Sequence, residues 1–401
     1  MNKKAMSLIL LCLMGWGVAP ALSEEQRDLL EGITGTIPSE SKWGLLPRFK
    51  VNPDTGYGTG IKLKGQNIFG TPLMIDIANI YTTNEYQIYE FLVGAPRISA
   101  KEDSWFYLML YGEYDLIPDY RFFGIGNDTE NEMDDPDDEE VGDESSLKYE
   151  MALARIVLGY HPGMNLYIAL EGFYKEVWLD SGDNEDLPDG MIKYNLLPGT
   201  KGGKTYGMGV AIIYSTRNDQ WRATEGQRIE LKFEDVGSHF GADYDFSRFV
   251  LDYRKFIHLF GKYNVLALHA KIEALEGADF EIPWWELTSI GGRDSIRGLW
   301  EARFRGKSSV LGNAEFRYHI MDLKSTKYKF IDFIVDGNLF VDVGQVFLNE
   351  KVINDGLALD YHSGYGFGFR FTTPPNLMGR MDIGFSTEQQ WALYFNFGTV
   401  F

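Results

Sequence analysis

The sequence predicts an all-β protein: a transmembrane antiparallel β-barrel of sixteen strands, with a long sixth outer loop folded into the lumen. The first observation behind this prediction is that short segments alternate apolar and polar residues from about residue 46 to the end of the chain. The second is composition, because aromatic residues make up 15% of the chain while its mean hydropathy is only −0.22. Barrel strands present every second residue to lipid, which keeps their average hydropathy near that of a soluble protein. The third is an N-terminal export signal.

The export signal occupies the first residues of the chain. Lys3 and Lys4 precede an apolar run over residues 5–18, and small residues then lead to Ser23, after which we expect cleavage. The run is too short for a stable membrane-spanning helix. Cys12, the only cysteine, lies inside this signal, so the mature chain is expected to contain no disulfide. The expected organisation is a signal peptide at 1–23, a short periplasmic lead segment at 24–45 and an outer-membrane β-barrel at 46–401.

The alternation is clearest in the last two predicted strands. In the final strand Leu393, Phe395 and Phe397 share one parity, and in the preceding strand Arg380 and Asp382 share the parity opposite to its apolar residues. The two faces of a barrel strand meet lipid and lumen, so we expect the charges on the lumen side. Strands of a soluble sandwich would alternate in the same way, but β pattern over most of 401 residues exceeds the usual size of one such domain.

Sixteen strands are expected, joined alternately by short periplasmic turns and longer outer loops, with the N-terminus in the periplasm. Short connections are predicted at 161–164, 260–262 and 374–375, and long ones at 117–146, 180–203 and 277–307. The last of these ranges is the sixth outer loop. The strands are expected near 46–53, 57–66, 71–83, 85–97, 104–116, 147–160, 165–179, 204–216, 226–236, 246–258, 263–276, 308–321, 330–347, 358–373, 377–387 and 390–401.

The net charge of −20 argues against nucleic acid as a partner. Two predicted outer loops are conspicuously acidic, at residues 134–144 and 180–189. Calcium binding and simple solvation are both open for them. Neither loop has the alternating ligand positions and the glycine of a calcium-binding loop, which favours solvation. No cofactor is expected.

The sixth outer loop contains the stretch 291–299, in which two adjacent glycines and an Arg-Gly pair interrupt the alternation. Glycine permits the positive φ of a tight turn, and Arg297 offers a planar fork of hydrogen-bond donors. An ordinary surface turn is the plain alternative. Parity places Asp342 on the same face as Asp336, and Glu315 also falls on an inward face. An arginine on a loop that enters the lumen would therefore meet two carboxylates on adjacent walls.

On these residues the sequence resembles the bacterial surface antigen superfamily, whose barrels include the central subunits of outer-membrane assembly machineries. The family's sixth-loop motif, Val/Ile-Arg-Gly-aromatic, is matched by Ile296-Arg297-Gly298-Leu299, with Trp300 expected to supply the aromatic packing. The remaining matches are Phe340-Val341-Asp342-Val343-Gly344, Asn313-Ala314-Glu315-Phe316-Arg317, the segments 52–56 and 122–128, and the final aromatic, Phe401. The resemblance implies a loop-to-wall lock formed by Arg297, Gly298, Asp342 and Glu315, and a targeting role for Phe401.

The resemblance also implies a function in outer-membrane assembly. Assembly factors of this superfamily carry repeated periplasmic POTRA domains before the barrel, and the lead segment 24–45 is too short for one, so the chain resembles a barrel-only branch. The implied role is to help insert outer-membrane proteins or reorganise lipid near a weak seam between the first and last strands. The expected partners are outer-membrane lipid, lipopolysaccharide and client outer-membrane proteins, and the chain is expected to be a monomer in the outer membrane of a Gram-negative bacterium.

Two other classes of function are alternatives to assembly. A gated channel or transporter would use the sixth loop as its plug, and its polar lumen would be lined by Arg228, Lys232, Arg254, Lys271 and Arg380. An enzyme is not expected, because the six histidines are scattered and neither a His-Glu-x-x-His pair nor a Gly-x-Ser-x-Gly elbow occurs.

Overall fold

A computed structural model of the chain shows a closed barrel of sixteen antiparallel strands, which confirms the predicted barrel and its number of strands. The predicted signal peptide, most of the lead segment, the two acidic stretches and Phe401 lie outside the described residues. The structure describes residues 42–71, 73–95, 105–127, 129, 145–180, 197–219, 222–261, 263–278, 281–323, 333–348, 360–373, 377–388 and 391–397.

The barrel strands follow one another around the wall in chain order, and the first strand closes against the last. A separate two-stranded sheet, β12 with β13, lies in the connection between β11 and β14. The strands are β1 (Lys42–Asn52), β2 (Gly56–Gln66), β3 (Met74–Thr82), β4 (Gln87–Ala95), β5 (Trp105–Phe122), β6 (Ser145–Gly163), β7 (Leu166–Asp180), β8 (Gly203–Ser215), β9 (Gly226–Val236), β10 (Phe246–His258), β11 (Asn264–Glu276), β12 (Thr288–Ile290), β13 (Phe304–Gly306), β14 (Ser308–Leu323), β15 (Phe333–Phe347), β16 (His362–Thr373), β17 (Leu377–Ser386) and β18 (Ala392–Phe397).

The wall has an apolar outer face and a charged inner face. On β15, Leu339 and Val341 are 52% and 57% exposed, whereas the alternate residues Asn338 and Asp342 are fully buried. This is the period of two that a pleated strand imposes. Outward apolar side chains suit a lipid environment, and inward polar side chains fill the space enclosed by the wall. Among the described residues, no helix is both long and apolar enough to cross a membrane.

Several predicted strand ends differ from the structure by a few residues: β1, for example, begins at Lys42 and not at 46, within the predicted lead segment. Two of these differences involve a proline. β5 continues beyond the predicted end at 116 to Phe122, with an irregular register between Ile117 and Tyr120 that accommodates Pro118. β6 likewise continues through Pro162 to Gly163. A β-bulge tolerates the missing N–H of proline, so these prolines do not end their strands.

The turn after β6 is therefore shorter than the predicted 161–164. Met164 and Asn165 form it alone, with φ values of 56° and 60°. Positive φ at both central residues is the geometry of the tight hairpin turn whose twist matches that of the flanking strands.

The β12–β13 hairpin inside the β11–β14 connection was not predicted. It is held from outside by the segment that follows β5, because the Gly126 N–H donates to the Arg305 carbonyl at 2.8 Å. The Asn127 side chain continues this attachment to the end of β15, where it donates to the Val346 carbonyl at 2.8 Å and accepts from the Val346 N–H at 3.1 Å. The connection is thus an ordered part of the fold at this end of the barrel.

Candidate functional site

The candidate site lies where Arg297, in the β11–β14 connection, meets the inner face of the wall. Its side chain is fully buried. Nε and Nη2 donate to the two carboxylate oxygens of Asp342 at 2.7 and 2.6 Å, and the Arg297 backbone N–H donates to the same carboxylate at 3.1 Å. Nη1 donates to Glu315 at 2.5 Å. The guanidinium thus makes a bidentate pair with β15 and a further bond to β14, the strongest class of hydrogen bond in proteins.

A second layer of charges completes the network around Glu315. Arg317 Nε donates to Glu315 at 2.8 Å, and Arg380 on β17 donates to both Glu315 and Asp382. Three guanidinium groups therefore face three carboxylates, all almost completely buried. Because these positive and negative groups are equal in number, each has an oppositely charged partner in place of the water that it loses on burial. Buried charges require such a partner.

The charge on Arg297 is strongly favoured in this position. Burial acts against the guanidinium charge, but Asp342 and Glu315 more than offset it and raise the pKa of Arg297 above its ordinary value. The ring of Phe340 covers one face of the guanidinium at 3.5 Å, which adds a cation–π contact. Arg297 therefore keeps its positive charge in this buried position.

Gly298 allows the loop backbone to approach the wall. Its φ is +102°, and a Cβ atom would lie 2.7 Å from the Phe385 carbonyl carbon. The wall also has glycines where the loop approaches it. A Cβ on Gly364 would lie 1.9 Å from the Arg297 carbonyl oxygen, and one on Gly384 would lie 2.6 Å from the Gly298 nitrogen. Glycines on both sides are thus a condition of the contact.

The loop is also hydrogen-bonded to the last two strands. The Tyr394 hydroxyl, on β18, accepts from the Gly298 N–H at 3.1 Å and donates to the Leu299 carbonyl at 2.9 Å. Ser386 at the end of β17 donates to the Gly298 carbonyl at 2.9 Å. These bonds give the loop backbone fixed partners on strands close to the barrel's closing seam.

Leu299, rather than Trp300, supplies the apolar packing of the motif. Leu299 is 1% exposed and belongs to a cluster with Ile296, Phe304 and neighbouring wall residues. Trp300 is only partly buried and lies under the guanidinium of Arg121 at 4.5 Å. The expectation that Trp300 replaces the family's aromatic is wrong, because Leu299 already points into this cluster.

A cavity of about 180 Å³ lies beside the loop and reaches the closing seam, where Val51 and Phe395 line it. Glu301 also lines it, and its backbone N–H donates at 3.2 Å to Asp54 in the β1–β2 turn. Enclosure by protein and repulsion from Asp294 and Asp54 raise the pKa of Glu301 to about 7. The Glu301 side chain is exposed toward the cavity, where it faces the neighbouring carboxylates that repel its negative charge.

The structure brings together four of the residues named from the sequence: Arg297, Gly298, Asp342 and Glu315. Sequence reasoning missed the wall glycines, Tyr394 and Ser386, because their importance depends on which strands approach the loop. Asn313 donates to Asp342 at 2.8 Å. It belongs to one of the motifs matched in the sequence, but the sequence indicated no role for its side chain. In the part of the chain that the structure describes, no group of three or more His, Cys, Asp or Glu side chains is arranged to hold a metal ion.

The fold and this site together define a transmembrane barrel with a loop tethered to its inner wall. The chain belongs to the Omp85 superfamily, since the Omp85 superfamily domain matches residues 67–401. This confirms the resemblance to assembly-factor barrels noted from the sequence motifs. Comparison with curated proteins found no match.

Three solved structures share the fold at low sequence identity. BamA from Haemophilus ducreyi lacking POTRA domains 1–3 is 14% identical with a TM-score of 0.61, and the match covers 89% of this chain and 70% of that one. CdiB from Escherichia coli is 12% identical with a TM-score of 0.59, over 92% of this chain and 70% of that one. CdiB from Acinetobacter baumannii is 13% identical with a TM-score of 0.52, over 90% of this chain, which spans 60% of that one. At these identities the likeness concerns the fold.

Proposed function

We propose that this protein assists the insertion of other outer-membrane proteins, or the reorganisation of lipid, in the outer membrane of a Gram-negative bacterium. Membership of the Omp85 superfamily and the similarity in fold to BamA and CdiB support this proposal. The observation that carries it is the closing seam of the barrel.

The described part of the seam between β1 and β18 shows little strand pairing. Within the described residues the two strands pair at one position, Val51 with Phe395. β17 and β18 pair from Gly379–Gly384 to Ala392–Phe397, and all other neighbouring strands pair over longer stretches. With one ladder position between them, the described parts of β1 and β18 share few of the backbone hydrogen bonds that hold a barrel wall closed. The seam is thus the place where the wall opens at least cost, and an unpaired strand edge is a template for an incoming strand.

The tethered loop spans this seam from the inside. It bonds to Tyr394 on β18 through Gly298 and Leu299, and to Asp54 beyond β1 through the Glu301 N–H. A loop attached on both sides of the seam fixes the distance between the first and last strands. The loop-to-wall lock then sets how readily the seam opens, which gives Arg297 and its acceptors a role in assembly.

Disulfide locking of the seam tests the proposal. Val51→Cys with Phe395→Cys joins the paired outward-facing positions, and Leu231→Cys with Leu251→Cys joins an equivalent outward pair on β9 and β10 as the control. Each variant is placed in lipid vesicles, and the folding rate of an unfolded outer-membrane barrel protein is measured. The seam disulfide should reduce the rate to that of protein-free vesicles, and reduction of the disulfide should restore it. A locked seam that accelerates client folding as well as the reduced one contradicts the proposal.

The alternative is a gated channel, and the charged inner face supports it. The five cations expected to line the lumen each pair with a carboxylate, for example Arg254 with Asp252 at 2.9 Å and Lys271 with Glu273 at 2.7 Å. Such pairing occupies the charges that would attract a permeating ion, so we favour assembly.

We further propose that the protein acts as a monomer with membrane lipid and client proteins as partners, and catalyses no covalent reaction.

A further inference from the structure

The end of the barrel opposite the β11–β14 connection carries a second arginine directed at the inner wall. This is Arg222, at the start of a short arm, residues 222–225, that leads into β9. Nε and Nη2 of Arg222 donate to the two oxygens of Asp336 on β15, both at 2.7 Å. Asp336 is 1% exposed. The pair has the same bidentate geometry as the pair between Arg297 and Asp342.

The position of Asp336 shows that the arm lies inward of the wall at this mouth of the barrel. Counted around the wall, β15 is four strands away from β9, through β10, β11 and β14. At about 4.8 Å per strand this is roughly 19 Å along the wall. An arginine at the β9 end can reach that carboxylate only if its segment leaves the wall and lies inward over the strands between β9 and β15.

Other contacts fix the arm in this inward position. The Arg222 guanidinium lies 3.6 Å from the centre of the Tyr263 ring. Ala223 is buried in an apolar cluster formed with Phe256, Tyr263, Val265 and Ala267. Residues on this end of β10 and β11 would face an aqueous opening if the arm were absent. Their apolar character is explained by the arm that covers them.

The arm is also braced from within its own connection. The Asn218 side chain accepts from the Thr224 N–H at 3.0 Å and donates to the Thr224 hydroxyl at 2.6 Å. The Arg222 N–H donates to Asp219 at 2.6 Å. These bonds hold residues 222 and 224 in place, so presenting the guanidinium to Asp336 has a lower entropic cost than it would in a segment without them.

We propose that the Arg222 arm is a closure of the lumen at this end of the barrel. It acts in series with a second closure at the other end, the loop that Arg297 holds against the wall. The two acceptors, Asp336 and Asp342, lie on the same inner face of β15, six residues and hence about 20 Å apart. Anything that passes along the lumen meets both closures. Opening one of them leaves the other in place, so the lumen conducts fully only when both open. This holds whether the protein is an assembly factor or a channel.

The test is conductance of the full-length protein in planar bilayers. Arg222→Ala and Arg297→Ala should each raise the mean conductance by less than about twofold. The double variant should raise it tenfold or more, well beyond the product of the single effects. Glu225→Ala removes an exposed charge from the same arm without touching the pair and should leave conductance unchanged. A double variant that conducts no better than Arg297→Ala overturns the proposal, and so does full opening by either single substitution.

A charge exchange separates closure from misfolding. Arg222→Asp in the Arg297→Ala background should conduct like the double alanine variant, and adding Asp336→Arg should return it to the low conductance of Arg297→Ala alone. Folded barrels are first verified by their heat-dependent mobility on gels. Because the readout is conductance and not client folding, failure here leaves the assembly proposal intact, and failure of the seam experiment leaves this one intact. Conductance that stays high after the pair is restored would show that the ion pair does not hold the arm.

Discussion

Replacing Arg297, the arginine of the loop-to-wall lock, by alanine tests how tightly the loop docks on the wall. Arg297→Ala leaves Asp342 without its bidentate partner and removes one donor from Glu315, and both carboxylates are fully buried. Breaking a buried ion pair by deleting one partner costs about 3–5 kcal/mol, because the remaining charge is desolvated and uncompensated. Asp342→Ala should also be costly, since it removes the bidentate partner of the buried guanidinium and leaves Arg297 its bond to Glu315.

The free energy concerned is that of docking the loop on the wall, so the assay is hydrogen exchange of the backbone amides in residues 291–299. At 1.4 kcal/mol per factor of ten, a loss of about 3–5 kcal/mol accelerates exchange by about a hundredfold to a few thousandfold. Arg293→Ala is the matched control. Arg293 lies in the same loop and is paired with its neighbour Asp294 at the partly exposed surface, so its loss should cost under about 1 kcal/mol.

The double variant decides whether the two residues act as a pair. Once Arg297 is absent, removing Asp342 also removes a buried uncompensated charge, so the double variant should be little worse than either single one. The interaction free energy from the cycle should then be close to one single-variant effect. Additive losses would refute the reasoning, because they would mean that each residue stabilises the docked loop through other contacts.

Three further predictions concern the loop and the chain terminus. Gly298→Ala should cost about 2 kcal/mol or more of loop docking, because the new Cβ meets the Phe385 backbone at a positive φ, and the rate of loop proteolysis measures it. The raised pKa of Glu301, about 7, means that the docked loop binds a proton that the undocked loop releases near the ordinary value of 4.5. Docking should therefore weaken as pH rises from about 4.5 to 7, and Glu301→Gln should abolish that dependence in a pH series of hydrogen exchange. Deleting Phe401 should reduce the amount of heat-modifiable protein in the outer membrane, and undiminished assembly would contradict its targeting role.

Local pattern was enough to predict the wall of the barrel and the acceptors of the lock. A strand has a period of two, so parity alone assigns Asp342 and Glu315 to a polar face, and the burial of both side chains agrees with it. Parity cannot identify a bulge. Proline has the same local signature in a turn and in a bulged strand, which is why Pro118 and Pro162 led to wrong strand ends.

Only the tertiary structure decided what else holds the Arg297 loop against the wall and which residue receives Arg222. The slot formed by Gly364 and Gly384, the Tyr394 hydroxyl at the seam and the reach of Arg222 to Asp336 all join segments far apart in the chain. The spacing of such contacts is set by barrel closure, strand order and the inward path of the connections. None of these leaves a periodic signal in the sequence, because a glycine or a tyrosine on a wall strand satisfies the local pattern whether or not a loop comes to lie against it.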